Sequence, residues 1–145
     1  TNQHSHCTTS QGTRLMIKVA CRGDSITSGF SLLNPCRDSY PSLLQKMLGD
    51  GYEVRNFGVL DAAARFDADT PYVRKKAYTK SLDWNPDIVL IMLGSNDTKR
   101  RNWDPQRLSK DCIFIYGTSL LPSCMSDCSH TDIPRLGYPA DGTIP

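Results

Sequence analysis

Where the first apolar run of this chain ends, in VACRGDSITSGF (Val19 to Phe30), a serine stands between an acid and a β-branched residue. Ser25 could be a nucleophile, or a polar residue that satisfies a turn. Ester hydrolysis by a serine needs an activated hydroxyl, a base within hydrogen-bond reach, and donors aimed at the oxygen that turns negative in the tetrahedral intermediate. A second polar cluster, LGSND (Leu93 to Asp97), carries Asn96, whose carboxamide is a donor of the required kind. Three histidines could serve as base: His4, His6 and His130. HSHC (His4 to Cys7) could bind zinc in principle, but it lacks a second ligand cluster, and a flexible polar terminus is the simpler reading.

These residues matter only if the chain brings them together. RLMIKVAC (Arg14 to Cys21) is apolar and β-branched and stops at a turn signal, which predicts a buried strand. YPSLLQKMLGDG predicts a helix with Leu43, Leu44, Met47 and Leu48 on its apolar face, closed by Gly49 and Gly51. YEVRNFGV alternates as a second strand, and a helix is expected from about Tyr72 to Leu82. In NPDIVLIMLGSND the continuous run Ile88 to Leu93 reads as a strand covered by helices on both faces. Alternation of strand and helix is the rhythm of a parallel sheet with crossover helices, whose ligands gather at the carboxyl ends of the strands. Both polar clusters fall at such ends. Asn102 or Asp104 is placed to cap a helix from near Pro105, CIFIYGTSLL is read as its continuation, and the tail from Pro122 reads as loop.

Length and composition narrow the classes. With 145 residues, 39% hydrophobic and 22% charged, the chain suits one globular domain. Residues 1–13 are expected to be a flexible segment and residues 14–145 a single domain, divergent or truncated from about 112. A net charge of +2 argues against a nucleic-acid or anionic-membrane partner, and the basic runs RKK (Arg74 to Lys76) and KRR (Lys99 to Arg101) are read as solvated faces. No apolar run is long enough for a membrane span, and the N-terminus has no signal-peptide core; a mature secreted protein would look the same. The six cysteines match no metal or redox spacing, leave disulfides open, and include Cys21 as a small core residue.

GDSITSG (Gly23 to Gly29) together with LGSND resembles the first and third blocks of the GDSL, or SGNH, hydrolases, which are esterases, lipases and carbohydrate deacetylases. The likeness covers roughly Leu15 to Asp111. It implies a flavodoxin-like three-layer α/β/α fold with a parallel sheet, a small-molecule or glycan ester as substrate, and no cofactor or metal. Carried over by position, it makes Ser25 the nucleophile and a backbone oxyanion donor, with Asp24 ordering the turn. Asn96 becomes the side-chain oxyanion donor, and Gly94 gives it room. Asn96 to Thr98 also matches a glycosylation sequon, which an Asn96 turned into a site would leave unmodified.

Two departures stand beside the matches. The family's second block resembles N-x-G-x-S-G, and its last glycine donates an N–H to the oxyanion; this chain reads NFGVLD, with Asp61 at that glycine and Leu60 at the serine. An acid there opposes a developing anion, and a residue with a Cβ is expected to resist the glycine's backbone conformation. The family's D-x-x-H block has one formal match, DCSH (Asp127 to His130), in a segment without the preceding strand and helix. The final YPADGTIP resembles a mid-chain loop of the family, so the chain is expected to stop or diverge before the last family elements. Two functions follow: an SGNH-type serine esterase acting on acyl or acetyl esters through an acyl-enzyme, or a degenerate domain that at most binds a glycan or ester.

Overall fold

The computed structural model describes residues 16–120. Its centre is a parallel sheet of three strands, β1 (Ile17–Gly23), β2 (Tyr52–Gly58) and β3 (Ile88–Met92), in the order β2-β1-β3. Five helices connect or flank them: α1 (Ser25–Ser28), α2 (Pro35–Asp38), α3 (Tyr40–Leu48), α4 (Lys76–Asp83) and α5 (Pro105–Leu120). The expected helix from Tyr72 is split, with a 3-10 turn at Tyr72–Arg74 ahead of α4.

β1 is buried on both faces because helices lie on both. Along it, Val19 and Cys21 point to one side and Ala20 and Arg22 to the other, all of them buried. Cys21 meets the Tyr40 hydroxyl of α3, and the Arg22 guanidinium stands 5.5 Å from the centre of the Tyr78 ring of α4. These contacts put α3 and α4 on opposite faces, giving a three-layer α/β/α arrangement. The core cluster on the α4 side is Ala62, Tyr72 and Tyr78, with Val59, Val73, Leu82 and Leu93 against it. Tyr72 and Tyr78 meet edge to face at 5.8 Å, a favourable arrangement of ring quadrupoles. Both hydroxyls are satisfied, Tyr72 donating to the Phe57 carbonyl and Tyr78 pairing with Thr118 of α5.

The outer strands differ from expectation in instructive ways. β2 is an edge strand, and Gln45 of α3 occupies part of its open backbone: its Oε1 accepts from Val54 N–H at 2.7 Å and its Nε2 donates to the Tyr52 carbonyl at 2.9 Å. This anchoring turns Leu44 and Leu48 inward and leaves Leu43 and Met47 exposed, so the predicted four-residue apolar face is narrower than its letters imply. β3 begins where Asp87 exchanges two hydrogen bonds with Lys18, which fixes its register on β1. It is not covered on both faces. Ile88, Leu90 and Met92, in register with Val19, Cys21 and Gly23, remain 42%, 40% and 45% exposed, because no described helix reaches over β3 on the α3 side. Asp104 caps α5 by accepting from Arg107 N–H, and α5 runs on through CIFIYGTSL to Leu120, the last described residue. No described helix is long and apolar enough to cross a membrane.

Candidate active site

Three loops leave the carboxyl ends of β1, β2 and β3, and backbone and side-chain bonds tie them together. Asp24 N–H donates to the Met92 carbonyl at 3.3 Å, and Val59 N–H donates to the Gly23 carbonyl at 2.9 Å. The Ser95 hydroxyl donates to Asp24 Oδ2, and Asn96 Nδ2 donates to the Ala62 carbonyl at 3.0 Å. Each loop therefore touches at least one other, and the loops carrying Ser25, Asp61 and Asn96 share one edge of the sheet.

Ser25 opens the short helical turn α1. Asp24 caps that turn: its Oδ1 accepts from Ile26 N–H at 2.9 Å while Oδ2 receives the Ser95 hydroxyl. Asp24 is thus a fully buried carboxylate with both oxygens engaged. As the first residue of its turn, Ser25 has an N–H with no intrahelical acceptor. The turn lies tight on β2. A Cβ built on Gly58 would stand 2.2 Å from Ser28 N, so only glycine lets α1 descend this far, and Asn56 Nδ2 fixes it there by donating to the Thr27 carbonyl at 2.7 Å.

Asp61 has a φ of 59°, the left-handed region that glycine enters freely and that aspartate tolerates better than most residues. The expected barrier to this conformation is therefore overcome. Ala62 N–H to the Val59 carbonyl closes the turn, and a positive φ at its third position is what a type II turn requires. Among the described residues the Asp61 N–H donates to no backbone acceptor. Its carboxylate is 62% exposed and reaches Lys99 Nζ at 3.4 Å, so the acid in this block comes with a counter-charge.

Asn96 lies in the 3-10 turn Ser95–Thr98 and is half-buried. One of its two amide hydrogens serves Ala62, which leaves one for a ligand. Gly94 was expected to give Asn96 room, but a Cβ there would meet nothing within 4 Å, and what the position requires is its φ of 120°.

The turn is held by Asp97, to which sequence reading assigned no role, and by Asn102, expected only as a candidate helix cap. Asp97, fully buried, accepts from Ala64 N–H at 2.8 Å and from Arg65 N–H at 2.9 Å. Asn102 donates to the Asn96 carbonyl at 3.0 Å and to Asp69 Oδ1 at 2.7 Å, and accepts from Asp69 N–H at 3.1 Å. An acid and an amide in a short polar loop were the available signal. Apart from Asn96 itself their partners lie more than thirty residues upstream, so the pairing is invisible in the letters.

No histidine falls among the described residues. Asp127, His130, His4 and His6, and the expected segment 1–13, lie outside them, as do Cys7, Cys124 and Cys128. Cys21 is buried as expected, and burial pushes its thiol up from the ordinary range.

A family model described as the GDSL-like Lipase/Acylhydrolase family matches residues 21–118. An acetylxylan esterase of Xylanibacter ruminicola is 46% identical over 87 residues, which are 60% of this chain and 18% of that protein. Among solved structures, the native aryl esterase of M. smegmatis aligns at a TM-score of 0.57 with 24% identity, over 72% of this chain and 54% of that one. AlinE4, an SGNH-hydrolase family esterase, aligns at a TM-score of 0.52 with 21% identity, over 70% of this chain and 51% of that one. At these identities the structural likeness is one of fold. The chain spans about half of each of these two structures and about a fifth of the curated relative.

Proposed function

The chain belongs to the GDSL-like lipase/acylhydrolase family, and from that premise we propose that it is a serine esterase acting on acyl esters, with acetyl groups on carbohydrate as its substrate class. The observation that supports the reading is the tying of the three strand-end loops, which brings the segments that carry Ser25, Asp61 and Asn96 to one edge of the sheet. The similarity to an acetylxylan esterase supports the choice of substrate.

In this reading Ser25 Oγ attacks the ester carbonyl carbon and passes its proton to a base. The carbonyl oxygen becomes an oxyanion, which the N–H groups of Ser25 and Asp61 and the free hydrogen of Asn96 Nδ2 stabilise. Collapse of the tetrahedral intermediate breaks the bond to the alcohol oxygen, which leaves protonated, and water then hydrolyses the acyl-enzyme to release the acid and free Ser25. Without a base the hydroxyl keeps its alcohol-like pKa and attacks poorly at neutral pH. His130, oriented by Asp127, is assigned that task, and both lie outside the described residues.

A fluorophosphonate probe tests the nucleophile. The chain is expected to label covalently, and Ser25→Ala to remove the label while leaving the fold unchanged by circular dichroism. His130→Ala should cut the labelling rate about a hundredfold or more. Absence of label from a folded wild-type chain overturns the esterase reading and favours a domain that binds esters without turnover.

A further inference from the structure

We propose that the open surface lined by Lys99, Arg100 and Arg101 binds a carboxylate carried by the substrate, with Arg100 as its principal ligand. The proposal rests on the esterase reading for its location beside a reaction centre, and gives that substrate an acidic group. Three observations support it.

The first is the way the three cations are used. Lys99 Nζ lies 3.4 Å from Asp61 Oδ1 and 3.7 Å from Asp69 Oδ2, and Arg101 pairs with the same Asp69 carboxylate. These two side chains are committed to carboxylates of the protein. Arg100, exposed between them, has no ion pair or side-chain hydrogen bond to any described residue. Three cations face two acids, and the excess charge is a guanidinium. Its planar fork matches a carboxylate with two parallel N–H···O bonds, which a lysine does not reproduce.

The second is position. Lys99 joins this surface directly to the side chain of Asp61, whose backbone N–H is one of the candidate donors. The loop is also held in place. Asn102 N–H donates to the Lys99 carbonyl at 2.8 Å, and the Asn102 side chain anchors to Asp69 and to Asn96 O. The backbone that carries Arg100 is thereby tied to the loop of Asn96.

The third is Trp103, which is 57% exposed on the same loop. An exposed indole offers an apolar face with a polar edge, suited to a sugar ring. One uncommitted cation is too few to hold a polyphosphate backbone, for which affinity grows with the number of phosphates neutralised. The match is to a single anionic group on a glycan.

Binding can be measured without turnover. In the Ser25→Ala chain, calorimetry would compare a xylo-oligosaccharide bearing one uronic acid branch with the same neutral oligosaccharide. The acidic ligand is expected to bind about threefold to tenfold more tightly, and sodium sulfate at equal ionic strength to leave most of that preference. Arg100→Gln should bring the ratio of the two affinities close to one, and Arg100→Lys should restore only part of it. Equal affinities in the Arg100 chain, a ratio unchanged by Arg100→Gln, no binding of the acidic oligosaccharide, or a preference abolished equally by sulfate would each overturn the proposal. Because Ser25 takes no part in this measurement, a failure here leaves the fluorophosphonate result untouched, and the reverse also holds.

Discussion

Asp61 puts a negative side chain at a turn whose N–H is assigned to an oxyanion, and its effect is set by what lies around it. The backbone reaches the glycine conformation at φ 59°, and Lys99 stands 3.4 Å from the carboxylate. Both charges are partly exposed, so the pair contributes only about 0.2–1 kcal/mol to stability. Its larger consequence is electrostatic: it limits the repulsion that Asp61 would exert on a nearby anion. Asp61→Gly is therefore expected to raise kcat on a neutral acetyl ester about twofold to tenfold, with the fold little changed in stability, since relief of the left-handed strain offsets the added freedom of the unfolded glycine chain. Lys99→Met should lower kcat when Asp61 is present and matter much less in the Asp61→Gly background. Steady-state kinetics on the four chains of this cycle checks both; equal effects of Lys99→Met in the two backgrounds would refute the compensation. Sequence alone showed the mismatch at position 61, but its remedy, a lysine 38 positions later, is a fact of packing.

At the scale of elements, the polar connections that position the candidate donors were less legible than the strands and helices themselves. β1, β3 and α5 were readable from apolar runs and a cap, because burial and capping act locally in sequence. The loop 62–70 was not, since what orders it is Asp97, a carboxylate in another loop that replaces water for two buried N–H groups. Removing that acceptor leaves both donors unpaired, at roughly 1–3 kcal/mol each. Asp97→Ala is thus expected to destabilise the protein by about 3 kcal/mol in urea unfolding and to raise the hydrogen-exchange rates of Ala64 and Arg65 selectively. Asp97→Asn keeps one carbonyl acceptor and should lose about half as much. Were exchange at Ala64 and Arg65 unchanged in Asp97→Ala, this carboxylate would not be what holds the loop. Gly94 and β3 show the opposite failing: their letters were noticed, but the reason for the glycine and the coverage of the strand depend on φ and on neighbouring layers, which a linear pattern does not contain.

Over the whole molecule, the interior between β1 and its two helical layers contains groups that can lose a proton, and burial keeps them neutral. Burial pushes the Cys21 thiol up from its ordinary value, and pushes the Tyr40 hydroxyl up to about 12, partly opposed by its contact with Thr27. Burial likewise raises the Tyr72 hydroxyl, with the neighbouring Arg22 guanidinium acting against it. In the unfolded chain these groups ionise near their ordinary values, about 8.5 for cysteine and 10 for tyrosine. Their folded values are raised, so the folded state holds protons that the unfolded state has already released, and stability is full below those ordinary values and falls as pH rises through them. The fall is expected to begin near pH 9 and to continue to about 12, where Tyr40 itself ionises in the fold. At pH 11 the Tyr40 share is about 1 kcal/mol, one unit of linkage reduced for partial exposure of the ring. Tyr40→Phe has no proton to lose there, and the hydroxyl it removes meets Thr27 at a long 3.4 Å and the Cys21 thiol. Urea unfolding at pH 8 and pH 11 should therefore show a smaller loss of stability in Tyr40→Phe than in the Tyr40 chain, by about that amount. An identical loss in both would place the alkaline sensitivity elsewhere than in the layer between β1 and α3.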